Sequence, residues 1–231
     1  MTTALLITGT DTGVGKTLVG CALAAALSRR MRVAVLKPAE TGCHELEGEL
    51  VPEDALRLRE AAECRASLDV VCPFRYAEPL APWLAAERAG RPISLERVRR
   101  CFEELRAVSD VVIVEGAGGL LVPLTRERSF ADLAADLGLP LLIVVGSRLG
   151  ALNQTLLTIE CARRRGLDVV GIVLNQMTPD EDLAQATNGA ALEKLIGASS
   201  LLTLSFLPNA AELGRERLAA VGEPLRAAWF G

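Results

Sequence analysis

The sequence predicts an α/β protein with a three-layer fold, in which a mostly parallel central sheet of about six to seven strands carries helices on both faces. Three observations point to it. Short aliphatic and β-branched runs alternate with longer amphipathic runs, the rhythm of β-α-β units. Half of the 231 residues are apolar and only 3% are aromatic, so Ala, Val, Leu and Ile must build the core, as they do where helices cover a parallel sheet. Residues 9–17, Gly-Thr-Asp-Thr-Gly-Val-Gly-Lys-Thr, join an apolar run at 4–8 to a helical stretch, giving strand, glycine-rich turn and helix in that order. No Pro/Ser-rich linker, repeat or low-complexity segment interrupts the chain, so residues 1–231 read as a single domain.

In chain order, strands are expected at 4–8, 32–37, 110–115, 141–145, 169–174 and 201–206, each a short aliphatic run. Helices are expected at 16–30, 53–64, 82–89, 95–108, 130–137, 153–165 and 181–196. Some boundaries carry their own chemistry. Ser129 with Asp132 reads as a capping box, and Gly138, Gly166 and Gly197 stand where helices end. The arginine runs at 29–30, 99–100 and 163–165 are expected at helix ends, facing the negative end of the dipole. Residues 42–91 break the rhythm with several prolines and few β-branched runs. Leaving the carboxyl end of the second strand, this excursion is placed to shape a substrate pocket.

The net charge of −4 argues against a nucleic-acid or anionic-membrane partner. Six cysteines without a Cys-x-x-Cys pair, and one histidine, support neither zinc nor a disulfide framework. No apolar stretch reaches ~18 residues, and the chain enters a strand at once without a basic leader, so a cytoplasmic location is expected. Residues 223–231 are too short for a membrane-binding tail. Cys43 beside His44 is not expected to be a nucleophile, and His44 reads as an exposed loop residue.

The chemistry concentrates at strand ends. A glycine-rich turn ending in Gly-Lys-Thr converges backbone N–H groups on an anion, Lys16 adds a charge for the β- and γ-phosphates, and the Thr17 hydroxyl can ligate Mg²⁺. Only three of the 25 basic residues are lysine, which marks Lys16 and Lys37 as required. Five residues separate Gly9 from Gly15, one more than the usual spacing. The buried run Val111-Val112-Ile113-Val114 ends in Glu115, where a P-loop nucleotidase places an acid near Mg²⁺, and a flexible Gly-rich turn, Gly116-Ala117-Gly118-Gly119, follows. Lys37, in Lys37-Pro38-Ala39-Glu40-Thr41-Gly42, ends the second strand and is expected to face the γ-phosphate and its acceptor. Asp54, in the first turn of a helix, serves either the helix dipole or Mg²⁺ as a third ligand. Residues 149–153 open another helix and form a second anion-binding N-terminus. Asn175 and Gln176 end a strand, either as a polar terminus or with amides that read a base edge.

These motifs together resemble the dethiobiotin synthetase family. The matching segments are Gly-Thr-Asp-Thr-x-Val-Gly-Lys-Thr with its extra residue, the Lys-Pro-x-x-Thr-Gly after the second strand, and Val-Glu-Gly-Ala-Gly-Gly. Ala77-Glu78-Pro79-Leu80-Ala81-Pro82, Leu149-Gly150-Ala151-Leu152-Asn153 and Asn175 extend the match in order, and it fades after about Leu213. The resemblance implies a homodimeric, Mg²⁺- and ATP-dependent ligase of biotin biosynthesis with a P-loop NTPase-like fold. Such an enzyme closes a cyclic urea from 7,8-diaminononanoate and CO₂ through a carbamate and a carbamic–phosphoric anhydride.

The resemblance also implies roles. Gly13, Val14, Gly15, Lys16, Thr17 and Leu18 would cradle the phosphates, bordered by Gly116, Ala117 and Gly118. Thr17, Asp54 and Glu115 would hold Mg²⁺, and Lys37, helped by Lys16, would be catalytic. Thr12 and Thr41 would touch the diamine or carbamate. Asn175, Gln176, Pro208, Asn209 and Ala210 would receive the adenine. Gly150, Ala151, Leu152 and Asn153 of the partner subunit would hold the substrate carboxylate. The chain departs from the family at Gly13, where some members carry glutamate, and at Thr41, where others carry serine. It departs also at Gln176, where aspartate can occur, and at Asn188, where some place tyrosine.

Two other classes share the plan. Amidating synthetases need an ammonia source, for which 231 residues leave no room. Partitioning-type ATPase switches carry an additional lysine early in the turn, where this chain has Thr10-Asp11.

Overall fold

The computed structural model describes residues 3–180, 182–197 and 201–230. β1 (Thr3–Gly9) leads through the glycine-rich turn into α1 (Lys16–Ser28), followed by β2 (Val33–Leu36). β3 (Ala39–Thr41) leads into the excursion, which contains β4 (His44–Leu46), β5 (Glu49–Val51), α2 (Glu53–Ala61), α3 (Leu68–Val71), β6 (Phe74–Tyr76) and α4 (Pro82–Arg88). The regular rhythm resumes with α5 (Leu95–Val108), β7 (Val111–Gly119), α6 (Phe130–Leu137), β8 (Leu141–Ser147), α7 (Ala151–Arg164) and β9 (Val169–Gln176). α8 (Leu183–Ile196), β10 (Leu201–Leu204), a 3₁₀ turn at Ala210–Glu212 and α9 (Arg215–Phe230) complete the described chain.

The central sheet has six parallel strands in the order β10-β9-β8-β1-β7-β2. Strand side chains alternate between its faces with period two. Leu6, Leu36, Val112, Val114 and Ile143 join one apolar cluster, under α4, α5 and α6. Their neighbours Leu5, Ile7, Val35, Ile113 and Val144 join the other, with α1, α2 and α9. Burial on both faces is why the strands read as continuous apolar runs rather than alternating ones.

The Ser129–Asp132 capping box is present, and Gly138 closes α6 in the left-handed region at φ +63°. The expected helix start at Glu181 lies outside the described residues, and α8 is described from Leu183. Three expectations change. The turn predicted after Glu115 is instead the end of β7, whose register against β1 shifts between Ile7–Glu115 and Gly9–Gly119. Arg99 and Arg100 fall in the middle of α5 on its exposed face, where solvent, not a helix terminus, accommodates the charge. His44 is exposed, but it belongs to the short β4–β5 hairpin rather than to a loop. Residues 223–230 form the last half of α9, which packs along α1.

That α1–α9 contact is backbone to backbone. A Cβ on Gly222 would stand 1.9 Å from the Ala22 carbonyl oxygen. The buried alanines of α1 keep its surface low enough for this approach. Gly222→Ala must therefore push the helices apart. Urea unfolding should show a loss of about 2–3 kcal/mol.

At the amino edge of the sheet Arg32 grips Asp110 through Nη2 at 2.6 Å, Nε at 3.1 Å and its own backbone N–H at 2.8 Å. These hydrogen bonds pull the Asp110 carboxyl down to about 2. A depressed pKa stabilises the fold above the unfolded value, and the contribution is lost as pH falls through the folded value. Asp110→Asn should lower the urea midpoint at pH 7, with the difference from wild type closing between pH 3.8 and about 2.

Candidate active site

The turn after β1 is built on glycines for identifiable reasons. A Cβ on Gly9 would lie 2.7 Å from the Asp11 carbonyl oxygen and 2.9 Å from Val14 Cγ2, because the turn folds back over the strand end. Gly15 has φ +98°, and a Cβ there would meet Asn175 Nδ2 at 2.3 Å. Asn175 is buried and donates Nδ2 to the Val14 carbonyl at 3.0 Å, so β9 supports the turn from beneath. Val14 itself points into the core. Across the strand ends, Gly118 has φ +63°, and its Cβ position lies 3.2 Å from Thr12 Oγ1.

A cleft of about 350 Å³ opens over this turn at the carboxyl edge of the sheet. Gly13, Lys16, Thr17 and Leu18 form its floor. Lys37, Thr41 and Asp54 form one wall, and Ala117, Gly118 and Ala210 complete the rim. Beneath the floor lies Glu115, fully buried at the end of the apolar part of β7. Its Oε1 accepts from Thr17 Oγ1 at 2.9 Å and from the Lys37 ammonium. Lys37 also donates to Asp54 Oδ2 at 3.0 Å.

The charges perturb one another. Burial alone would lower the Lys37 pKa, but the Glu115, Asp54 and Glu40 carboxylates outweigh it and hold the ammonium well above its ordinary value. Burial would likewise raise Asp54, yet Lys37, with help from Thr17, holds it below its ordinary value. Lys16 donates to the Asp11 carbonyl at 3.0 Å. Burial first, and repulsion from Lys37 second, push it down to about 8. Two ammonium groups and the turn's N–H groups thus face a cleft suited to a polyanion.

Thr17, Asp54 and Glu115 offer hard oxygen donors at one point. Glu115 Oε2 is buried with no hydrogen-bond partner, leaving acceptor capacity unused. This donor set fits Mg²⁺, which takes one or two carboxylates and completes its shell with phosphate oxygens and water. Among the described residues no group of three or more His, Cys, Asp or Glu would hold a metal unaided.

Other predicted residues lie apart from the cleft. Gly116 sits in β7, and its carbonyl accepts from Lys37 at 3.5 Å. Gln176 ends β9, beside Ser147. Pro208 and Asn209 are exposed ahead of the 3₁₀ turn. Gly150 caps α7 at φ +96°, with Ala151, Leu152 and Asn153 in its first turn, and none of them lines the cleft. Arg148 joins that loop to the glycine-rich turn by an ion pair to Asp11 at 2.6 Å. Asn188 is buried and donates to the Arg148 carbonyl at 3.1 Å. The Cys43 thiol is buried and pushed up to about 11, unsuited to a nucleophile.

Three cleft residues escaped sequence reading: Glu40, Arg57 and Ala211, the last an unremarkable alanine beside Ala210. Glu40 is buried in the wall and accepts from the Asp54 and Ala55 N–H groups. Its signal was an acid inside Lys-Pro-x-x-Thr-Gly, between two residues already singled out. Arg57, one turn beyond Asp54, donates to the Ala210 carbonyl at 3.1 Å. Nothing in the sequence distinguishes it from an ordinary helix-surface arginine.

Comparison with known proteins agrees with this architecture. An AAA-domain family model matches residues 3–217. In solved structures, the septum site-determining protein MinD of Pyrococcus horikoshii, complexed with Mg-ADP, superposes with a TM-score of 0.62 at 13% identity, over 99% of this chain and 94% of that one. A plasmid partition protein of Borrelia burgdorferi bound to AMPPNP gives 0.62 at 11% identity, over 99% and 98%. At such identities the likeness shows the fold alone, a P-loop NTPase-like one. Sequence relatives are nearer. The ATP-dependent dethiobiotin synthetase BioD of Anaeromyxobacter sp. (strain K) is 45% identical over 223 residues, 96% of this chain and 98% of the relative. That of Thermodesulfovibrio yellowstonii is 37% identical over 227 residues, 94% and 93% of the two chains. On near-complete coverage at these identities, the chain belongs to the ATP-dependent dethiobiotin synthetase family.

Proposed function

We propose that this protein closes the ureido ring of dethiobiotin from 7,8-diaminononanoate and CO₂ at the expense of ATP, acting as one domain over its 231 residues. The observation that carries the reading is the convergence of Lys16, Lys37, Thr17, Asp54 and Glu115 on one cleft in a chain of this family. Thr17, Asp54 and Glu115 would hold Mg²⁺, which when bound neutralises phosphate charge. The turn from Gly13 to Leu18 binds the phosphates. Gly116, Ala117 and Gly118 border them, and Asn175, Gln176 and Pro208 to Ala210 receive the base.

In the reaction, one amine adds to CO₂ and loses a proton to solvent, giving a carbamate, which Thr12 and Thr41 position. A carbamate oxygen attacks the γ-phosphorus and the bond to ADP breaks. The second amine then attacks the carbamoyl carbon, losing a proton as phosphate departs and the ring closes. Every stage concentrates negative charge, and Lys37 and Lys16 are the fixed cations available to it. No covalent nucleophile is needed, because positioning two amines beside an activated carbonyl supplies most of the advantage. The carboxylate tail is read by Gly150, Ala151, Leu152 and Asn153 of the partner subunit in a homodimer. Gly150 and Asn153 are exposed at that helix start outside the cleft, which supports the reading, while Ala151 is buried. The enzyme works in the cytoplasm, and among the described residues no helix is long and apolar enough to cross a membrane.

Purified protein with Mg²⁺, ATP and bicarbonate should release ADP only when 7,8-diaminononanoate is added, with the cyclic urea detected by mass spectrometry. Equal ADP release without the diamine, and no urea, would refute the assignment. Lys37→Gln should cut turnover by at least ~10²-fold while nucleotide binding persists, read by steady-state kinetics and calorimetry.

A further inference from the structure

We infer that Glu40 is a positioning residue that sets where Asp54 stands. α2 (Glu53–Ala61) is preceded at its N-cap position by Pro52, which offers no side-chain cap, although the first turn of any helix leaves its N–H groups unpaired. Glu40 fills that role from fourteen residues away: Oε1 accepts from Asp54 N–H at 2.9 Å. Its Oε2 accepts from Ala55 N–H at 3.0 Å. A serine or aspartate at position 52 would cap the helix as well. What such a local cap would not do is tie the helix start to the segment that carries Lys37. Glu40 follows Lys37 on the same short segment, and Lys37 donates to the Asp54 carboxylate at 3.0 Å. The three residues therefore close a ring, running through the backbone from Lys37 to Glu40, through hydrogen bonds to the start of α2, and through the Asp54 carboxylate back to Lys37. Glu40 is 7% exposed, so water is a poor substitute for it.

This inference rests on Asp54 being a Mg²⁺ ligand. The test titrates Mg²⁺ against binding of a fluorescent ATP analogue to wild type, Glu40→Ala, Glu40→Gln and Asp54→Asn, with amide hydrogen exchange over residues 50–58. Partners one step outside a metal site typically change metal affinity 10–100-fold. Glu40→Ala should raise the half-saturating Mg²⁺ at least ~10-fold and expose the Asp54 and Ala55 amides, while binding of the analogue in EDTA stays unchanged. Glu40→Gln, able to accept only one of the two N–H groups, should fall between wild type and Glu40→Ala, and it decides the matter should the alanine variant not fold. A raised Mg²⁺ requirement in Asp54→Asn with a wild-type requirement in Glu40→Gln overturns the role of Glu40 and leaves Asp54 as ligand. An unchanged requirement in Asp54→Asn removes the ligand assignment, and this inference with it.

Discussion

The ammonium of Lys37 is buried, and a buried cation is tolerable only among anions that replace its hydration. Glu115 and Asp54 supply them, and Thr17 shares the Glu115 oxygen. That arrangement pins four elements at one point: the end of β2, β7, α2 and the first turn of α1. Sheet register does part of the work. Leu36 pairs with Val114, so the residues that follow them, Lys37 and Glu115, leave the apolar core side by side. Removing Lys37 would strand the Glu115 carboxylate in a dry site, and removing Glu115 would leave the buried ammonium with only the part-exposed Asp54, either being costlier than losing the contact itself.

The ring of charge is balanced around Lys37 and unbalanced around Lys16. Lys16 meets a carbonyl oxygen rather than a carboxylate, and its lowered pKa records the cost of burial beside a second ammonium. A polyphosphate supplies the missing negative charge and would restore Lys16 to its ordinary range. The site thus favours the polyanion as a ligand for the same reason that the cation is uncomfortable without it. Small residues make the arrangement fit. A Cβ on Gly20 would lie 2.8 Å from Leu58 and 3.2 Å from Glu115 Oε2, so glycine in α1 is what lets α2 and Glu115 close on the same helix face.

Legibility followed burial and locality. Strands β1, β2, β7, β8 and β9 were readable because both faces are covered, which writes most of each as an aliphatic run. The Ser129 capping box and Gly138 were readable because their partners lie within one helical turn. β3 and β6 were not: three residues apiece, they are held by pairing with each other across the excursion. α9 was hidden by Gly222 and Pro224, which look like breakers. Yet Gly222 is required by the closeness of α1, and Pro224 is exposed. In β7 the glycines after Glu115 resembled a turn, and only pairing with β1 makes them strand.

The candidate site divides the same way. Gly9 to Thr17, Lys37 and Glu115 were identifiable from sequence because each sits at a strand end where spacing alone limits what it faces. The sequence by itself determined the sheet, the glycine-rich turn and the family. The tertiary structure decided which charges touch: that Lys37 lies between Asp54 and Glu115, that Asn175 props the turn through Val14, and that Glu40 caps a helix fourteen residues on. Those contacts join segments distant in the chain, and their distances are set by packing rather than by any local preference.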